Sequence, residues 1–286
     1  MDVKLAGCVI LYNPDKDVIR NIESYIKSLE KLYIIDNQNG EFITNELKNK
    51  YDNVEIIKHS ENMGIAYSLN EVLSLCQNEY THLLTMDQDS CFDIGIMDKY
   101  KKAIPSFDWE KTLGVGPKIL DYSTPPKCSD LSYQETMGVI TSGNIISVKN
   151  AINIGGFDEK LFIDEVDYDF CYRGILKNYK VYIYNSGIYL KHSLGNMIER
   201  FFIYRTLKCM NHNYIRKYYI MRNRFYVYKK YHAINEKFFV KNYLKANARL
   251  IFDILFFEED KFRKLKWALI GAKDFLFGNM GKKNFN

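Results

Sequence analysis

Apolar positions in the N-terminal part of the chain switch repeatedly between two periods. Lys4–Leu11 is a compact apolar run, and beyond Pro14 the residues Val18, Ile22, Ile26 and Leu29 recur at helical spacing. An unbroken apolar run suits a strand buried on both faces, and a three-to-four-residue recurrence suits one buried helical face. Strand, then helix, is the expectation. Leu32–Ile35 and Val54–Ile57 are further short runs, the first ending at Asp36-Asn37. Ile65, Leu69, Val72, Leu73 and Cys76 form a second helical stripe, after which Thr81–Met86 runs straight into Asp87-Gln88-Asp89. This alternation predicts an α/β fold, Rossmann-like, with a mainly parallel central sheet and helices on both faces. Such sheets bind ligands beyond the carboxyl ends of their strands, where Asp36 and the Asp87/Asp89 pair fall.

Further along, Met137–Val148 is strand-like but interrupted by Thr141-Ser142-Gly143-Asn144, and Gly155-Gly156 predicts a turn. Phe157–Arg173 is acidic, carrying Asp158, Glu159, Asp164, Glu165, Asp167 and Asp169. Val181–Tyr184 and Ile188–Leu190 read as a closing pair of strands leading into Lys191-His192-Ser193-Leu194-Gly195.

Composition changes this picture at one end. The chain has 286 residues, 47% of them apolar, enough for one large α/β domain with an appendage. With 16 Gly and 5 Pro it is neither collagenous nor of low complexity. The net charge of +5 hides a division: residues 1–197 hold 20 Lys/Arg against 28 Asp/Glu (−8), and residues 198–286 hold 20 against 7 (+13). Of the 43 aromatic residues, 21 lie in that basic segment. There Lys237, Lys241, Lys245 and Arg249 recur every four residues beside Val240, Leu244, Ala248, Ile251 and Leu255. Phe262, Leu265, Leu269 and Leu276 repeat the theme among Lys261, Arg263, Lys264 and Lys266. A C-terminal helical extension of basic amphipathic helices is expected, lying on a membrane surface or packing on the core or on a second copy in a homodimer. The expected division is 1–234 and 235–286. No nucleic-acid motif accompanies the basic charge, so no nucleic-acid partner is expected. Cys8, Cys76, Cys91, Cys128, Cys171 and Cys209 form no CxxC pair, and no signal peptide precedes Val3, which fits a reducing cytoplasm. No run of about 18 apolar residues predicts a transmembrane helix.

Asp87 and Asp89 can turn hard oxygen ligands toward one Mg2+ or Mn2+ shared with substrate phosphates, although paired acids also serve as turn formers. An ordered set of segments surrounds them: Val9-Ile10-Leu11-Tyr12-Asn13-Pro14, Ile35-Asp36-Asn37, Asn62-Met63-Gly64-Ile65-Ala66, Met86-Asp87-Gln88-Asp89-Ser90, Thr141-Ser142-Gly143, Gly156-Phe157-Asp158, Leu161-Phe162-Ile163-Asp164, Val166-Asp167-Tyr168-Asp169 with Arg173, His192-Ser193-Leu194-Gly195 and Tyr218-Tyr219-Ile220-Met221-Arg222-Asn223. In order and spacing this set resembles glycosyltransferase family 2, inverting enzymes of the GT-A fold, and within it the rhamnosyltransferase-like branch. The resemblance spans roughly residues 3 to 230.

It implies a metal-dependent transferase moving a sugar, rhamnose in this branch, from a nucleotide-diphosphate donor (dTDP-rhamnose or a UDP-sugar) to a saccharide or lipid-linked acceptor. The setting implied is bacterial surface polysaccharide synthesis, capsule or O-antigen, at the inner face of the cell membrane. By the same resemblance Asp36 binds the nucleobase or ribose, and Tyr12, Asn62, Gly64, Ser142 and Arg222 belong to the donor site. Asp89, supported by Asp87 and joined by His192, holds Mn2+ or Mg2+. Asp167 is the base that takes the acceptor proton. The family more often has Glu where this chain has Val166, which leaves Asp164 and Glu165 as competitors. Neither Trp109 nor Trp267 follows an Arg, unlike the QxxRW of processive members, which implies single transfers. Two other readings stand beside this one. A nucleotidyltransferase would need a Gly-rich basic loop where the chain has Tyr12-Asn13-Pro14, and a non-enzymatic membrane-associated module would retain only the fold.

Overall fold

A computed structural model of the chain describes residues 2–120, 130–192, 197–202 and 205–285. Cys128 and the Ser193-Leu194-Gly195 segment therefore lie outside the described residues. The chain forms two compact units, Met1–Asp158 with Asp167–Ser193, and Glu159–Val166 with Leu194–Asn286.

In the first unit the apolar runs become strands: β1 (Leu5–Tyr12), β2 (Lys31–Gln38), β3 (Val54–Lys58) and β4 (His82–Asp87). They lie in the order β3-β2-β1-β4, all parallel. Between them run α1 (Asp17–Glu23), α2 (Glu41–Lys50) and α3 (Ile65–Cys76). The sheet continues as β9-β6-β10-β8 through β6 (Thr112–Gly116), β8 (Ser132–Glu135), β9 (Asn144–Ser147) and β10 (Lys180–Ser186). Here β9 is antiparallel to both β4 and β6, β10 is parallel to β6, and β8 is antiparallel to β10. A second sheet has the order β5-β11-β7, built from β5 (Ser90–Cys91), β7 (Lys118–Leu120) and β11 (Tyr189–His192). The helices α4 (Ile96–Ala103), α5 (Val148–Asn153) and α6 (Val166–Leu176) complete the set. The core is built from β-strand residues such as Leu5, Val9, Ile34, Leu84 and Ile145 with Ile22, Ile26 and Tyr100 from the helical segments.

Within the first unit, three of the expected elements differ from their periodicity. The helix expected through Leu29 ends at Glu23 and gives way to a short 3-10 turn at Ile26–Ser28. Of the strand-like stretch 137–148, only Asn144–Ser147 is extended, and Val148 already opens α5, capped by the Ser147 side chain. The two closing strands separate, since β10 enters the central sheet and β11 pairs with β5 and β7. That separation carries His192 across to Ser90.

The second unit contains the hairpin of β12 (Met197–Phe202) and β13 (Arg205–Met210) and the helices α7 (Tyr214–Tyr231), α8 (Glu236–Phe239), α9 (Lys245–Phe256) and α10 (Lys261–Phe277). The basic helix expected from Lys237 to Arg249 is interrupted by a π-helical turn at Val240–Leu244. α10 packs on α7 through Lys264, Ala268, Gly271 and Asp274. At Gly271 the helices approach so closely that a Cβ would lie 2.4 Å from the Tyr218 carbonyl oxygen. α7 and α10 thus belong to the same compact unit.

Candidate active site

The register of the parallel strands places Asp36 opposite Leu11 and Asp87 opposite Ile10, so two acids flank the carboxyl end of β1. Asp36 is buried, and its Oδ1 accepts from the Gly40 amide at 2.9 Å. Next to it Asn37 Oδ1 meets His59 Nδ1 at 2.7 Å, and His59 Nε2 meets Glu71 at 2.8 Å. Asn62 Oδ1 accepts from the Gly64 amide at 2.9 Å and shapes the turn into α3. Tyr12 is exposed at the strand end, its backbone held on both sides by Gln88, which accepts from the Tyr12 amide (2.9 Å) and donates to its carbonyl (3.2 Å).

After β4, ligand atoms of Asp87, Asp89 and His192 lie within 4.8 Å of one another. His192 reaches this point because β11 pairs with β5, setting it opposite Ser90. Its Nδ1 is 3.3 Å from Asp89 Oδ1 and 2.7 Å from Ser90 Oγ. Behind them Ser142 Oγ donates to Ser90 Oγ at 2.6 Å, and the Asp87 amide donates to Ser142 Oγ at 3.4 Å. Both serines are fully buried, so a polar strut fixes the acidic turn from beneath. Two carboxylates and an imidazole suit a divalent cation such as Mn2+ or Mg2+ in donor type, and the serine strut orients the imidazole as an outer-shell partner does.

Asp167 lies in the first turn of α6. Its Oδ2 accepts from the Thr141 amide at 3.1 Å and its Oδ1 from the Tyr168 amide at 2.9 Å. Thr141 is in turn bound to β4, its carbonyl accepting from Thr85 Oγ1 at 2.6 Å. Asp169, fully buried, pairs with Arg173 at 2.8 Å, and that guanidinium donates to the carbonyls of Ile154 and Gly156. This pair braces the Gly155-Gly156 turn.

The two competing acids belong to the second unit. Asp164 pairs with Arg216 at 3.1 Å, and Glu165 lies 3.5 Å from Arg224. Burial raises the Asp164 carboxyl above its usual range, an effect the two arginines oppose. Arg222 is likewise buried in the second unit, donating to the carbonyls of Gly281 (2.7 Å) and Lys160 (3.3 Å) and lying over the Tyr218 and Tyr219 rings. Its guanidinium is thus committed to closing that unit. The cysteines Cys8, Cys76, Cys91, Cys171 and Cys209 are buried, and burial pushes the Cys76 and Cys171 thiols up to about 12.

Ser90, Gln88 and Asn37 carry much of this geometry without having been assigned a role from sequence. Their signal was adjacency, since each sits next to an acid or an amide already singled out. What each does depends on strand register, which the linear pattern does not contain.

The sequence profile described as Glycosyl transferase family 2 matches residues 8–156, about half of the chain. Among curated proteins, the dTDP-rhamnosyl transferase RfbF of Shigella flexneri is 24% identical over 247 residues, covering 78% of this chain and 79% of the relative. The solved structure of the mannosyltransferase PcManGT from Pyrobaculum calidifontis, in complex with GDP-Man and Mn2+, is similar with a TM-score of 0.57 at 13% identity, over 96% of this chain and 74% of that one. A structure of GalNAc-T7 with UDP, GalNAc and Mn2+ gives a TM-score of 0.54 at 12% identity over 67% of this chain, which spans 44% of that protein. At such identities the likeness carries the fold alone, and that fold is GT-A.

Proposed function

The chain belongs to glycosyl transferase family 2, and from that membership we propose that it is an inverting, metal-dependent rhamnosyl-type transferase. Its donor is a nucleotide-diphosphate sugar, with dTDP-rhamnose favoured by the relative named as a dTDP-rhamnosyl transferase. The convergence of Asp87, Asp89 and His192, with Asp167 bonded to the turn that supports them, is the observation that carries this reading.

In this reading Asp36 binds the nucleobase or ribose beside Tyr12, with Asn62 and Gly64 shaping the adjoining loop. Asp89, Asp87 and His192 hold Mn2+ or Mg2+, which when bound stabilises the negative charge of the departing diphosphate. Ser142 supports Asp87 through its amide. Asp167 accepts the proton of the acceptor hydroxyl as that oxygen bonds to the anomeric carbon from the face opposite the leaving group. The bond from that carbon to the diphosphate oxygen breaks, and the nucleoside diphosphate leaves with its electron pair. Asp167 is preferred over Asp164 and Glu165 because the Thr141 amide fastens it to the turn beneath Asp87 and Asp89. Arg222 is left out of the donor set, its guanidinium being engaged within the second unit. The acceptor is a saccharide or a lipid-linked saccharide of bacterial surface polysaccharide, reached from the cytoplasmic side. No helix among the described residues is long and apolar enough to cross a membrane.

A panel of nucleotide sugars with Mn2+ tests the assignment by calorimetry. One donor, dTDP-rhamnose first, should bind and be slowly hydrolysed, and Asp89→Ala should abolish the metal-dependent part. Failure of every donor to bind overturns it.

A further inference from the structure

The helix α10 has two opposed faces. Lys264, Ala268, Gly271 and Asp274 are buried. Phe262, Leu269 and Leu276, spaced seven apart, are 91%, 57% and 77% exposed, and Phe277 is exposed as well. At 3.6 residues per turn these four, together with exposed Lys266 and Lys273, fall within an arc of about 100° opposite the buried side. An amphipathic helix in a water-soluble surface normally reverses this arrangement, turning its large apolar groups inward and only its charges outward. Here the fully buried positions are small or paired polar residues, Leu265, Trp267 and Phe275 pack on their neighbours, and Phe262, Leu269, Leu276 and Phe277 stand in solvent.

The charge around that stripe has one sign. Lys261 and Arg263 are exposed at the start of the helix and Lys282 just beyond its end. The one acid within α10, Asp274, is buried and bound by Tyr218 and Lys283. Glu259 and Asp260 stay before the helix begins. Large apolar side chains at one level with lysines beside them fit a phase that offers acyl chains under a layer of negative headgroups. A polyanion in water, such as nucleic acid, would satisfy the lysines but give Phe262, Leu269 and Leu276 nothing to enter.

We propose that the outer face of α10 docks the protein on an anionic lipid surface, with Phe262, Leu269, Leu276 and Phe277 entering the interface and Lys266 and Lys273 contacting headgroups. This places the membrane contact on α10 rather than on the Lys237–Arg249 row, where the π-helical turn interrupts the helix. It does not depend on the identity of the donor.

Full-length protein should cosediment with vesicles of phosphatidylcholine containing phosphatidylglycerol and far less with phosphatidylcholine alone. Leu269→Asp combined with Leu276→Asp, and separately Lys266→Glu combined with Lys273→Glu, should each weaken partition by roughly tenfold or more, since each charge near an anionic surface contributes about fivefold. Thermal unfolding should stay unchanged, because the substituted side chains are exposed. Donor binding measured without vesicles should also be unchanged, which separates failure here from failure of the transferase reading. Absence of binding to anionic vesicles, equal binding to uncharged ones, or binding indifferent to both double variants overturns the proposal. So does a wild-type dimer in sedimentation that dissociates in the leucine variant, or retention on nucleic acid but not on vesicles.

Discussion

The amide of Thr141 donates to Asp167 Oδ2 at 3.1 Å, which ties the carboxylate at the start of α6 to the turn beneath the paired aspartates. In the proposed reaction, proton removal and leaving-group departure are thereby tied to one piece of backbone. An asparagine at position 167 can still accept from Thr141 through its oxygen but cannot take a proton. Asp167→Asn should therefore lower kcat by roughly 10²–10⁴-fold with little change in donor affinity. Initial rates alongside donor titration check this, and a collapse of thermal stability would show the residue to be structural.

Ser90 stands between Ser142 and His192, at 2.6 Å and 2.7 Å. Ser90→Ala removes the support of the imidazole and leaves the Ser142 hydroxyl to find another partner. Mn2+ affinity should fall about 10- to 100-fold, as measured by calorimetry, without loss of the fold.

Gly40 is adapted to Asp36. A Cβ at this position would lie 2.7 Å from Asp36 Oδ1 and 3.1 Å from Leu11 Cδ1, so Gly40→Ala must displace the carboxylate. Donor KM should rise by roughly tenfold, the equivalent of about 1.4 kcal/mol, while Mn2+ binding stays intact. Equal KM values for the two proteins would argue that Asp36 does not touch the donor.

His82 is buried at the start of β4 against Trp109, its ring 4.3 Å from the indole, and burial lowers its pKa from 6.5 to about 4. It stays neutral in the fold, whereas the unfolded chain takes up the proton near 6.5. Stability from this group is thus complete above about pH 6.5 and is lost as pH falls toward 4, by an amount on the order of 3 kcal/mol. His212, lowered to about 4 by burial and neighbouring cations, acts in the same direction. Urea midpoints measured from pH 7 to pH 4 should fall, and His82→Gln should flatten part of that slope.

Asn223 is fully buried, and its Nδ2 donates to the carbonyls of Leu161 (2.8 Å), Ile163 (2.7 Å) and Asp164 (3.0 Å). At about 1 kcal/mol per bond, Asn223→Ala should cost about 2–3 kcal/mol, and Asn223→Asp more, because a carboxylate offers only acceptors to three carbonyls. Denaturant unfolding of the three proteins gives the comparison.

Much of the sheet-containing unit was legible because its strands are buried on both faces and leave unbroken apolar runs, as at Leu5–Tyr12 and His82–Asp87. α2 was not, since only Ile43, Thr44 and Leu47 of its ten residues are buried and the stripe is too thin to register. The acids at the strand ends could be read directly, yet their supports could not. Ser142 reaches Ser90 across 52 positions and Thr141 reaches Asp167 across 26. The stripe of α10 was legible in sequence as an amphipathic face, but whether it turns to a membrane or packs on the core was not, because periodicity marks that a face exists and not which way it turns.

The clamp on the Leu161–Asp164 loop also fixes an order of events during biosynthesis. Phe162, Asp164 and Glu165 hold left-handed backbone angles, and the amide that secures their loop belongs to a residue about 60 positions further on. At roughly 5–20 residues per second, a ribosome needs several seconds to deliver Asn223 after it has made the loop. Through that interval the nascent chain can already have its parallel strands with Asp87 and Asp89, while the Asn223 amide that fastens the Leu161–Asp164 loop is still to come. A product released before residue 223 would thus carry most of the recognisable motifs of the family without the fastening of its Leu161–Asp164 loop.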